Sequence, residues 1–111
     1  MNLKDALKSE NYVYIIAEIG INHDGDINKA KKLILASKEA GADAVKFQLI
    51  HRNTLFNEFN IVNGKKEKNS VIEIFKKYEI PDTAYVELAE FANKNGVDFL
   101  CTAFDDEGLN F

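Results

Sequence analysis

Tryptophan is absent from this sequence, and cysteine, proline and methionine occur once each. The single cysteine, Cys101, cannot close an internal disulfide; this excludes a disulfide-stapled fold and fits a reducing, cytoplasmic compartment. No hydrophobic run approaches the ~18 residues of a membrane span. The opening stretch MNLKDALKSENYVY holds no continuous apolar segment, so no signal peptide and no membrane partner are expected. Basic residues are not in excess: 14 Lys and Arg face 18 Asp and Glu, a formal net charge of −4, which argues against a nucleic-acid-binding domain. Histidine occurs only at 23 and 51, without an i+4 partner or a cysteine at ligand spacing, so this segment is not expected to build a metal site by itself. GxGxxG and P-loop patterns are missing as well.

What remains is 111 residues, 46% apolar and 29% charged, the balance of a globular domain rather than a disordered chain. Residues 12–17, YVYIIA, form an aromatic and β-branched run that is apolar on both faces, as in a strand of a parallel sheet. The loop EIGINHDGD follows, and Asp26 is placed to cap a helix over 27–40, with Gly41 at its stop. DAVKFQLI, residues 43–50, reads as a second strand. Residues 51–70 are irregular, and NGKKEKNS within them reads as an exposed excursion; Lys65, Lys66 and Lys68 alternate with Glu67 as a solvated loop does. A short helix is predicted over 71–78, a clearer one over 82–95, and a third strand over 97–102. Alternating strands and helices predict a parallel α/β sheet, doubly wound or barrel.

Each predicted strand ends in residues a packed core does not select: Glu18 with Asn22, His23 and Asp24; Lys46 and Gln48; Thr102, Phe104 and Asp105. Ligands of parallel α/β folds bind at the carboxyl ends of the strands. A lysine between Val45 and Phe47 is costly to bury without an anionic partner, so Lys46 reads as the charge anchor of a small-molecule anion site. The plainer alternatives are an exposed Glu18, a Lys46 that snorkels from an edge strand, a His23 bonded to turn backbone, and a Cys101 that is a small buried hydrophobe.

The stretches IIAEIGINHDGDINKAKKLI, EAGADAVKFQ and GVDFLCTAFD resemble the opening of the N-acetylneuraminate (sialic acid) synthase family over residues 12–106. Where the family more usually has Ser-Thr-Pro-Phe-Asp, Cys101 and Ala103 replace Ser and Pro. Leu49–Ile50 stands where the family continues Thr-aromatic after FQ. The resemblance implies a partial (β/α)8 TIM barrel of about three β/α units, with residues 1–111 as its N-terminal part. Later strands and a C-terminal antifreeze-like domain would then lie outside this sequence. It implies condensation of phosphoenolpyruvate with an N-acetylated amino sugar, a Mn2+ or Mg2+ ion whose ligands lie elsewhere, and a homodimer. By the same resemblance Glu18 is catalytic, Lys46 and Thr102 bind phosphoenolpyruvate, and Gln48, Phe104 and Asn69 contact the sugar. Related keto-deoxy sugar acid synthases, and a non-catalytic half-barrel module, are the alternatives.

Overall fold

A computed structural model describes residues 2–111. Three parallel strands form the main sheet: β1 (Ile16–Gly20), β2 (Ala44–Leu49) and β5 (Asp98–Ala103), with β2 between the other two. The helices α2 (Ile27–Glu39) and α5 (Asp82–Lys94) connect them and pack on one face. Short helices α1 (Leu3–Ala6), α3 (Arg52–Leu55), α4 (Ser70–Lys76) and α6 (Asp106–Asn110) lie in the connections and at the ends. The region 59–68 is an antiparallel hairpin, β3 (Phe59–Val62) and β4 (Lys65–Lys68), exposed at every strand position.

The helical face of the sheet is the core. Ile19, Val45, Phe47 and Leu49 meet Ala30 and Ile34 of α2 and Ala84, Leu88 and Ala92 of α5. Phe47 stacks on Phe99 of β5 at 5.4 Å between ring centres, worth about 0.5–1.5 kcal/mol beyond its buried area. Asp26 caps α2 as expected, its carboxylate accepting the N–H of Asn28 and of Lys29. Lys31 of α2 reaches Glu87 of α5 at 2.5 Å and lies over the Phe91 ring, tying the two helices at their solvent edge.

The first strand differs from the reading of YVYIIA: it begins at Ile16, and Tyr12 to Ile15 lie before it. These residues serve side-chain bonds instead. Tyr12 donates to Asp43 and Tyr14 to Asp98, each at 2.5 Å, and the Ile15 N–H donates to Asp43. The segment thus closes the amino end of the sheet and leaves the carboxyl end open. The strand also extends beyond Ala17 to include Glu18, with an irregularity between Glu18 and Gly20. The excursion is a hairpin because Asn63–Gly64 takes left-handed backbone at both positions (φ 52° and 75°), the geometry of the tight turns that join adjacent strands. Cys101 is exposed rather than buried, in an open groove lined by α5 and α6.

The β1–α2 loop carries one steric requirement. Gly25 has φ 75°, and a Cβ added there would stand 2.3 Å from the carbonyl oxygen of Lys77. Gly25→Ala is therefore expected to lower stability by about 1–3 kcal/mol, read as a reduced midpoint in urea unfolding. An unchanged midpoint would show that the loop and the α4–α5 connection separate at little cost.

Candidate active site

Successive residues of a strand point to opposite faces. With Val45, Phe47 and Leu49 in the core, Lys46 and Gln48 must occupy the face away from the helices. The register pairs Glu18 with Lys46, Lys46 with Leu100, and Gln48 with Thr102, so Glu18, Lys46, Gln48 and Thr102 share that face across three strands. Lys46 Nζ lies 2.9 Å from Glu18 Oε2, and both side chains are about four-tenths exposed (39% and 46%). The pair is reachable from solvent and each charge keeps free bonding capacity: two further N–H donors on the lysine and a second oxygen on the glutamate.

Gly20 keeps the ground above this pair open. A Cβ there would meet Glu18 Oε1 at 3.5 Å and the Gln48 amide at 3.6 Å, which also places those two side chains around one point. Gln48 is held from behind, since the Tyr85 hydroxyl of α5 donates to its carbonyl oxygen at 2.8 Å. Phe104 follows β5 directly and is 45% exposed at the same end of the sheet. The arrangement offers a fixed cation, a carboxylate, an amide, a hydroxyl and an aromatic ring, which suits a small anion with a polar co-substrate.

Asn69 has a different setting. It is buried and caps α4: its side-chain oxygen accepts the Val71 N–H and its amide donates to the Asn57 carbonyl at 2.8 Å. These bonds tie α4 to the base of the hairpin. His23 is wholly buried; its Nδ1 accepts the Gly25 N–H at 3.0 Å, and Nε2 has no partner among the described residues. Burial lowers its pKa, which keeps the ring neutral. The turn-backbone reading of His23 therefore holds.

One constellation was not singled out from the sequence. His51, just beyond β2, makes two close contacts with carboxylates: Nδ1 to Asp105 at 2.8 Å and Nε2 to Asp82 at 2.7 Å. Asp105 also accepts from the Thr54 hydroxyl and caps α6 through the Gly108 N–H. The signal was present in the residues that follow strands two and three, but nothing in the spacing linked them. His51, Asp105 and Glu107 bring one potential ligand atom each within 4.8 Å. Both His51 nitrogens are already engaged by carboxylates, and His23 is enclosed. The described histidines therefore do not fit the divalent cation that the resemblance implies, and no ligand set for it is assigned to them.

Residues 33–111 match the model of the NeuB family. The chain is 39% identical over 104 residues to N,N'-diacetyllegionaminic acid synthase of Legionella pneumophila, covering 88% of this chain and 29% of that protein. It is 34% identical over 102 residues to N-acetylneuraminate-9-phosphate synthase of Mus musculus, covering 88% of this chain and 28% of that one. Among solved structures it is similar to the N-acetylneuraminic acid (sialic acid) synthetase of Leptospira borgpetersenii, crystallised with citrate: TM-score 0.76 at 34% identity, over 90% of this chain and 32% of the other. The chain thus spans less than a third of the length of these curated relatives.

If the Glu18–Lys46 pair exists for ligand contact, removing it costs the fold little. Exposed pairs contribute about 0–1 kcal/mol, so Lys46→Ala should shift the urea unfolding free energy by no more than about 1 kcal/mol. A larger loss would mark the pair as structural.

Proposed function

The chain belongs to the NeuB family, and on that premise we propose that it supplies part of the active site of a synthase of sialic-type (nonulosonic) acids. The reaction joins phosphoenolpyruvate to the open-chain aldehyde of an N-acetylated amino sugar. C3 of phosphoenolpyruvate bonds to the aldehyde carbon, whose oxygen takes a proton. Water adds at C2, and phosphate departs with cleavage of its C–O bond. The observation that carries this reading is the half-exposed Glu18–Lys46 pair on the open face of a parallel sheet, with Gln48 and Thr102 on the same face nearer the carboxyl ends of the strands, where ligands of such folds bind.

Lys46 is the fixed cation for the carboxylate or phosphate of phosphoenolpyruvate, and the Thr102 hydroxyl is a second donor to the same molecule. Glu18, in contact with Lys46, orients an intermediate or exchanges a proton with it. Gln48 and Phe104 stand further toward the strand ends and contact the acceptor. Asn69 could reach a sugar only by giving up the bonds that cap α4. The divalent cation would take its ligands from outside the described residues. The relatives are named for different acids, so the acceptor is proposed as a class.

The three strands are proposed as consecutive strands of a TIM barrel. Two observations support this: the consecutive parallel order β1–β2–β5, and an apolar groove beside α5, lined by Tyr85, Val86, Phe99 and Cys101, where a barrel carries its next helix. A cytoplasmic homodimer completes the proposal. No helix among the described residues is long and apolar enough to cross a membrane.

The test is phosphate release from phosphoenolpyruvate by the whole protein, with Mn2+ and a panel of N-acetylated amino sugars that includes N-acetylmannosamine. Release with none of them, or only with phosphorylated sugars lacking the N-acetyl group, would sink the assignment. Lys46→Ala should raise the KM for phosphoenolpyruvate roughly 10- to 150-fold, the equivalent of about 1.5–3 kcal/mol for a charged hydrogen bond. Glu18→Gln should lower kcat by a larger factor than it raises either KM; the reverse pattern would make Glu18 a binding residue.

A further inference from the structure

We infer that His51 is a positioning residue: as an imidazolium it clamps the carboxyl ends of β2 and β5 together, and so holds Gln48 and Phe104 at the acceptor end of the site. What Gln48 and Phe104 contact rests on the synthase reading; the clamp itself does not.

The clamp follows from donor counting. Asp82 and Asp105 approach opposite nitrogens of one ring at 2.7 and 2.8 Å. An ionised carboxylate only accepts, and a neutral imidazole has a single N–H. The ring serves both carboxylates only when both nitrogens carry protons. Asp105 is ionised, because the Thr54 hydroxyl and the Gly108 N–H hold its carboxyl down to about 2. The bond to Asp82 is the largest influence on His51 and raises its pKa; burial opposes this and the bond to Asp105 adds to it. Other charged groups face this region too. Glu107 of α6 and Glu79 of the α4–α5 connection line the same cleft, and Arg52 of α3 is paired with Glu79.

The connection to the site is short. His51 lies three residues beyond Gln48, whose carbonyl is held by Tyr85 of α5, the helix that Asp82 opens. Asp105 follows Phe104 directly and is the cap of α6. One ring therefore fixes the end of β2 against both the start of α5 and the end of β5. With a folded-state pKa raised above the ordinary 6.5, the clamp is whole below that pH. It is lost as pH rises through the folded value, when one carboxylate must let go.

The experiment is 15N-histidine NMR of the folded protein, with His51→Gln used to assign the ring signals. At pH 6 both His51 nitrogens should be protonated, and the ring should titrate above 6.5. Asp82→Asn and Asp105→Asn should each lower that value. The Gln48 side-chain amide and the Phe104 backbone amide should shift with the same titration. In the whole enzyme, the KM for the amino sugar should rise several-fold over that pH range while the KM for phosphoenolpyruvate stays flat. In His51→Gln the sugar KM should be raised and independent of pH. A single N–H on His51 at pH 6, or Gln48 and Phe104 signals that ignore its titration, would overturn the clamp. So would equal changes in both KM values. The expected NMR titration in a protein without synthase activity would leave the clamp standing and remove the synthase reading instead.

Discussion

Everything at the candidate site depends on the pleat of β2. A strand alternates its side chains between two faces, and here the alternation divides two jobs cleanly. Val45, Phe47 and Leu49 bury themselves against α2 and α5, while Lys46 and Gln48 face away and remain partly open. Because β2 lies between β1 and β5, its register also decides which neighbours join it: Glu18 beside Lys46, Thr102 beside Gln48. A slip of one residue would bring Lys46 into the core and Phe47 onto the open face. Core packing therefore protects the site geometry without touching it.

Much of this order could be read from the residues. The apolar runs, the Asp26 cap and the glycines after the helices fixed the alternation of strands and helices, and the polar residues embedded in DAVKFQLI marked the open face. The first strand was harder, because YVYIIA is apolar and aromatic throughout and nothing local separates a strand from a strap. The outcome there depends on Asp43 and Asp98, which lie about thirty and eighty residues further along and accept the two tyrosine hydroxyls. Such a pairing has no periodic trace. Asn63–Gly64 did carry a local signal for a tight turn, and the lysine-rich composition around it obscured that signal.

The same contrast holds within the site. Glu18 and Lys46 stand out as residues a packed core does not select, and Gln48 and Thr102 gain meaning beside them. His51 does not stand out, because its meaning comes from two aspartates brought to it by separate elements. Asn69 illustrates the opposite problem: the family resemblance points to it as a sugar contact, and helix capping satisfies both ends of its amide. Polar residues in strands advertise function, whereas polar residues between helices are more ambiguous, since chain ends and caps need them too.

The hairpin β3–β4 is a separable appendage. All eight of its strand residues are exposed, and its own turn closes it. Loop length is inexpensive when the ends are already held together, and here Asn69 holds them by bonding back to Asn57. The tip at Asn63–Gly64 can therefore accept an inserted peptide, a fluorophore or an affinity tag without a change in the register of the main sheet. It also gives evolution a place to lengthen or trim the chain while the Glu18–Lys46 pair stays where it is.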